Sequence, residues 1–253
     1  FSPLLYVGNG SDDRNITGVG FAPDWVWMKS RTDAEGHQNW DTSRGVEKRL
    51  QQNSSGAEES TSDKFQAFQS DGFQVGSSND TNKSSSNFVT WNWRANGGTT
   101  AANSVGGTAS VTQVDPSKAL SIVTYTGFSG ASGSSTVGHG MGVAPAMIIH
   151  KSRTRSSGWW TQFPNILTNA GYFLDLSDNG AETNLNSYGT MNAPTTSVFT
   201  INGVDGVGGE SANYIAYCFA NIEGYCKVGE YIGNGNASGP FIYTGFRPAM
   251  MII

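Results

Sequence analysis

The sequence predicts an all-β protein built from tandem antiparallel β-sandwich domains of jelly-roll size. Three observations carry this. Several sequence blocks recur in the same order along the chain. Runs of aromatic and β-branched residues without breakers alternate with small polar turns, as core strands require. The composition is Gly-rich (33 Gly) and poor in charge (14% Asp, Glu, Lys and Arg) yet 11% aromatic. The aromatics supply buriable surface and so exclude disorder.

In chain order, Tyr6-Val7-Gly8-Asn9-Gly10 opens the pattern and returns as Tyr231-Ile232-Gly233-Asn234-Gly235, each Tyr 17 residues before a Pro. The middle copy, Tyr125-Thr126-Gly127, stands 20 residues before Pro145, so its loop is longer. Asn-Gly after a β-like run signals a tight turn. Next, Gly20-Phe21-Ala22-Pro23-Asp24-Trp25-Val26-Trp27-Met28-Lys29-Ser30-Arg31 matches Gly142 to Arg153 and begins again at Gly245. A proline followed by four bulky apolar residues reads as the mouth of a buried strand. Gly56-Ala57-Glu58 matches Gly180-Ala181-Glu182. Finally Phe73-Gln74-Val75-Gly76 aligns with Phe199-Thr200-Ile201-Asn202. Asn87 to Trp93 then falls on Asn213 to Phe219 without a gap. Ser121 to Thr126 reads as the opening strand of the second copy, and only Ser43 to Gln52 has helical character.

These blocks divide the chain into a first repeat (1–96), a Gly/Ser/Thr-rich flexible or extended linker (97–118), a second repeat (119–224) and the start of a third, truncated repeat (225–253). The first residue, Phe1, and the last, Ile253, read as cuts within a longer polypeptide.

The residues assemble no catalytic motif. His139 and His150 stand where the first copy has Thr17 and Met28, and these two, like His37, read as satisfied or exposed histidines. Gly127-Phe128-Ser129-Gly130 is a turn rather than a nucleophile elbow. Gly203 to Gly209 lacks the Lys and helix of a phosphate loop. Glu58-Glu59 and Asp12-Asp13 are adjacent, so in extended chain they point apart. Glu58 and Glu182 are repeat-equivalent, which favours a role common to the fold. Asp12, Asp13, Asn9 and Asn15, like Asp175, Asp178 and Asn179, have no calcium-loop spacing and read as Asx turns. The sequence therefore predicts a non-enzyme with no cofactor and no metal. Cys218 and Cys226 read as two thiols, with a disulfide across a tight turn as the alternative. A net charge of −5 argues against nucleic acid, and no apolar run reaches the ~20 residues of a membrane helix. Trp40, Trp159 and Trp160 are the candidate sugar-stacking aromatics, with core and rim packing as the alternative. In a strand Trp159 and Trp160 face opposite sides, so at most one is core.

Taken together, Tyr231 to Gly235, Phe21 to Arg31, Ser70-Asp71-Gly72-Phe73, Asn213 to Ala220 and Gly239 to Pro248 resemble a repeated domain of unknown function abundant in virion proteins of tailed bacteriophages, notably marine ones. The chain departs from it in having Trp25 and Trp27 where Ile is common, and Cys226 where Ser is expected. The resemblance implies a tail-fibre, head-fibre or similar appendage on the virion surface, exposed outside the cell and engaged in host attachment. Its partners would be other virion proteins and a host surface glycan, with homo-oligomers, trimers by analogy with phage fibres. The alternatives are a carbohydrate-binding or adhesion module of a secreted bacterial protein and, more remotely, a glycan hydrolase acting through Glu58 or Glu182.

Overall fold

Strands form where the aromatic and β-branched runs lie. The computed structural model describes residues 1–130, 132–209 and 211–253. The first unit contains β1 (Ser2–Val7), β2 (Arg14–Thr17), β3 (Trp25–Ser30), β4 (Gln38–Asp41), β5 (Lys48–Arg49), β6 (Glu59–Ser60), β7 (Phe65–Gln69), β8 (Gly72–Val75) and β9 (Asn87–Trp93). A single helical turn, α1 (Asn79–Asn82), precedes β9. Then come β10 (Ala101–Asn103) and β11 (Ser110–Val114). The second unit contains β12 (Leu120–Thr126), β13 (Ser134–Gly138), β14 (Met147–Ser152), β15 (Trp160–Gln162), β16 (Tyr172–Asp175), β17 (Thr183–Asn184), β18 (Val198–Asn202) and β19 (Asn213–Phe219).

The two units pair their strands in the same order. The first has a sheet β1-β9-β3-β4 beside β2-β8-β7. In the second, β12-β19-β14-β15 repeats the first order and β13-β18 repeats the β2-β8 pair. All these pairs are antiparallel, and Trp25 opposite Trp93 corresponds to Met147 opposite Phe219. The second large sheet is wider, with eight strands in the order β10-β11-β12-β19-β14-β15-β16-β17.

Side-chain alternation sorts the strands into layers. In β3, Val26 and Met28 point to one side and pack with Trp40, Phe65, Phe73 and Phe88, closing the first sandwich. In β19, Tyr214, Ala216 and Cys218 pack with Val137, Phe199 and Ile201, closing the second. The other faces meet each other: Trp25, Trp27 and Trp93 of the first unit share a core with Leu120, Ile122, Ile149, Ile215, Tyr217 and Phe219 of the second. The central strands of both large sheets are therefore covered on both sides, and the repeats are joined by a common core rather than strung apart.

The turn Ser70-Asp71-Gly72 needs its glycine. Gly72 has φ +144°, and a Cβ there would lie 2.0 Å from the Ile16 carbonyl oxygen. Asp71 fixes the neighbouring loop by accepting hydrogen bonds from the backbone N–H of Gly18 (3.2 Å) and Gly20 (2.6 Å).

Two expectations are corrected. The 97–118 segment is not a free linker, because β11 pairs with β12 and β10 with β11. The open edge of β12 offers a ladder of unpaired backbone groups, and Val111, Thr112 and Val114 suit it. The turn before this segment is held by the buried carboxylate of Asp24, which accepts from the N–H of Ala95 (2.7 Å), Gly97 (2.9 Å) and Gly98 (2.6 Å) and from the Thr42 hydroxyl (3.1 Å). Ser43 to Gln52 forms turns and the short β5 instead of a helix, with Arg44 drawn to Glu58 and Arg49 to Glu59. Residues 225–253 form none of the strands found at the residues they match. Pro248 to Ile253 corresponds to β3, whose partner is β9, and no third β9-like sequence occurs among the 253 residues.

Candidate functional site

The densest cluster of functional side chains lies between the two units. β4 ends at Asp41, the following turn places Arg44 over it, and Glu58 stands just before β6. From the second unit come Arg153, following β14, and Tyr217 in the middle of β19. Arg44 Nε contacts Asp41 Oδ2 at 2.5 Å. Arg44 Nη1 donates to the Lys48 carbonyl (2.6 Å) and to Glu58 Oε2 (3.3 Å). Arg153 grips the same carboxylate with both prongs, each at 2.9 Å. The Tyr217 hydroxyl donates to Asp41 Oδ2 at 2.7 Å and accepts from Asn39 Nδ2 at 3.3 Å. Asn39 Oδ1 in turn accepts from the Trp25 indole N–H.

The electrostatics match this geometry. Burial works against the Arg44 charge, but Asp41, Tyr217 and Glu58 outweigh it and hold the pKa above its usual value. Burial also pushes Glu58 up, yet the hydrogen bonds and charges of Arg153 and Arg44 leave it below the ordinary carboxylate range. Tyr217 is raised chiefly by burial. Asp41 and Glu58 are both engaged by guanidinium groups, so they act as a clasp between the units. Glu58 and Glu182 do not share a role. Glu182 is exposed only in part and accepts from the backbone N–H and hydroxyl of Thr168. The two carboxylates are thus not brought together as a hydrolytic pair.

Trp40 and Trp159 offer no face to a ligand. Trp40 is 0% exposed, stacked on Phe65 at 5.1 Å inside the first sandwich. Trp159 is 1% exposed and donates its indole N–H to the Gln51 carbonyl across the unit boundary at 2.7 Å. Their equivalence also dissolves, because the strand registers place Trp40 opposite Val26 and Gln162 opposite the matching Ile148. Trp160 is half-buried and packs against the second sandwich core, on the side opposite Trp159. Sequence alone could not tell a covered face from an open one here, since β4 is buried along its entire length.

The remaining candidates are absorbed locally. His150 is buried between the rings of Phe173 and Phe199 with Nδ1 3.2 Å from the Tyr125 hydroxyl. His139 accepts at Nδ1 from the Met141 N–H, and His37 accepts from the Trp27 indole at 2.8 Å. The Gly203 to Gly209 loop turns around the Val204 carbonyl, which accepts from three successive N–H groups. Asp12 accepts from Gln66, and Asn15 from Gln69 and Gln74. Among the described residues no group of three His, Cys, Asp or Glu could hold a metal ion. Cys218 and Cys226 are free thiols, both raised by burial.

A cleft of about 190 Å³ lies at the mouth of β14, between Val143, Pro145, Pro164, Pro194 and Ile222. It is smaller than the ~300 Å³ at which small-molecule sites begin. Apolar side chains are instead exposed in the last segment, with Phe241 89% and Tyr243 78% exposed. No helix among the described residues is long and apolar enough to cross a membrane.

Sequence reasoning missed Asp24, Asp41, Arg44 and Tyr217. Asp24 did carry a signal, since the matching positions hold Ala146 and Ala249. A charge placed only in one copy, at a strand mouth, marks a local duty. No curated protein and no solved structure matches the chain. A family described as a domain of unknown function, DUF7483, matches residues 1–253, and the chain belongs to that family.

Proposed function

We propose that this chain is a non-catalytic structural protein of the outer surface of a tailed bacteriophage particle, as a tail fibre, head fibre or decoration appendage that contributes to host attachment. The observation that supports this reading best is the core shared by the two units. Two sandwiches fused through Trp25, Trp93 and Tyr217 make a stiff spacer, whereas beads on a free linker would bend. The low charge and the Ser, Thr, Asn and Gly surface suit a solvent-exposed appendage. In this reading the partners are other virion proteins and copies of the chain, three by analogy with phage fibres. Weak contacts with a host surface glycan would be multiplied by copy number. Cryo-electron microscopy of intact particles tests it: side-chain density for this sequence in a projecting appendage is expected, and absence from every particle overturns it.

A second reading, an adhesion module of a secreted bacterial protein, is favoured by the open rings of Phe241 and Tyr243, which could stack on sugars. Binding on a glycan array, lost on Tyr243→Ala, together with absence from virions would favour it.

A further inference from the structure

The large sheet of the first unit has one closed edge and one open edge. At the closed edge β4 is buried along its length, and Asn39 bridges Leu50. Among the described residues no strand pairs with the outer side of β1. Leu4 and Tyr6 of this strand pack on the first sandwich core. Leu5 (61% exposed) and Val7 (53%) stand out on the other face. Leu5 lies opposite Val89 and Pro3 opposite Trp91, and Trp91 meets Trp27 of the shared core edge-on at 5.7 Å. The exposed aliphatic stripe therefore continues the surface through which the two units already join.

The second unit shows what such an edge takes. Its β12 matches β1, since Tyr125 lies opposite Tyr214 as Tyr6 lies opposite Phe88. There the outer edge is filled by antiparallel β11, with Ser110 opposite Tyr125 and Val111 opposite Thr124. The residues matching Leu5 and Val7 are Thr124 and Thr126. The filled edge thus carries threonines and the open one aliphatics, with no charge in β1 to turn a strand away. The chain also holds a strand sequence without a partner. Met250 to Ile253 matches Trp25 to Met28 of β3 but lies in no strand. Met250 is seated against the shared core, whereas Met251 is 70% and Ile253 92% exposed. The strands that a β3-like sequence would seek, β9 and β19, already have neighbours on both sides. The other large-sheet edges, β10 and β17, offer only Ala-Ala-Asn and Thr-Asn.

We propose that Met251 to Ile253 of one copy adds as an antiparallel strand to the outer edge of β1 in a second copy. It fills there the place that β11 fills in the second unit. Met250 stays on its own core as the anchor. Met251 then stands opposite Val7, Ile252 opposite Tyr6 and Ile253 opposite Leu5. Period two puts Met251 and Ile253 on the face of Val7 and Leu5, so both exposed pairs are covered by one contact. The contact is heterologous, strand to edge, and so joins copies in series. It goes beyond the surface role proposed above and does not depend on it.

Sedimentation velocity of the 253-residue chain over a concentration series tests this. The 26.9 kDa monomer is expected to give way to larger species as concentration rises. Two variants should stay monomeric over that range while keeping the far-UV circular dichroism of the parent. One combines Leu5→Lys with Val7→Lys and spoils the edge; the other ends at Arg247 and lacks the added strand. Mixed, they should form a 1:1 complex and nothing larger, because one supplies only the strand and the other only the edge. Should the edge variant fail to fold, loss of association in the truncated chain and in Ile253→Lys decides the matter. A parent that stays monomeric overturns the proposal. Hydrogen-exchange protection of Leu5 to Val7 in that monomer, lost on truncation, would assign the edge to the chain's own last residues instead. Association that persists in either variant, or folded variants that do not pair when mixed, also overturns it.

Discussion

Trp25 in the first unit stacks on Tyr217 in the second, ring centroids 4.2 Å apart and planes 16° from parallel. The other face of Trp25 lies against Trp93, also at 4.2 Å. One indole thus sits between a neighbour in its own sheet and a ring from the facing sheet, while its N–H is satisfied by Asn39. The first expected outcome follows from that position. Trp25→Ala empties the centre of the shared core and should cost about 3–5 kcal/mol. Denaturant unfolding should change from one transition to two as the units uncouple, and Trp25→Phe should lose less.

Arg44→Met should be among the most damaging changes to the clasp. It leaves the buried Asp41 carboxylate without its cation, and removing one member of a buried pair costs about 3–5 kcal/mol. Arg44→Met combined with Asp41→Leu should recover part of that loss, because neither charge is then stranded. Chemical denaturation of the two single variants and the double variant provides the cycle.

Asp24→Ala tests the anchoring of the 97–118 segment. Three backbone N–H groups lose a charged acceptor, and a cost of about 2–4 kcal/mol is expected from the usual worth of such bonds. Hydrogen exchange should quicken in the Ala95 to Asn103 backbone ahead of the rest of the fold.

His150 should make the protein acid-sensitive. Burial holds its pKa down to about 3, against about 6.5 in an unfolded chain. Between those values the unfolded chain binds a proton that the folded one does not. Stability from this group therefore falls as pH drops from about 6.5 towards 3, at up to ~1.4 kcal/mol per pH unit. His150→Met, the residue at the matching Met28, should flatten that slope in unfolding measured across the range. His139, also lowered by burial, stays in both proteins and cancels in the comparison.

Lys151 acts at the opposite end of the scale. Its side chain is fully buried, donating to the carbonyls of Ser55 (3.0 Å) and Ser157 (2.6 Å), and burial lowers its pKa to about 8. An unfolded lysine titrates near 10.4, so above about pH 8 the unfolded chain holds more protons. The contribution to stability should then rise from pH 8 to about 10. Lys151→Met should remove that rise.

Most of the fold was legible because β-structure writes its register into alternation. The gap-free alignment of Phe73 to Trp93 with Phe199 to Phe219 corresponds to β8–β9 and β18–β19. Trp25-Val26-Trp27-Met28 divides between two cores as period two requires. What stayed hidden depends on neighbours. β10 and β11 are strands because β12 has an edge to offer, and their Gly- and Ser-rich surroundings mask their Thr and Val. Trp40 is buried because layers cover both its faces, which no local pattern records. Arg44 joins Asp41 three positions away, but its other partner, Glu58, also answers to Arg153 of the second unit. The clasp therefore has no short sequence signature.

The Tyr217 hydroxyl and Asp41 lie 176 positions apart in the chain. During synthesis the tryptophan face of the first unit must wait for nearly the whole second unit to emerge before it is covered. The newly made chain therefore passes through a stage in which Trp25, Trp27 and Trp93 are open to any sticky neighbour. Contacts this distant also make closure slow. For this protein, yield on expression should be governed less by final stability than by how well that waiting face is sheltered.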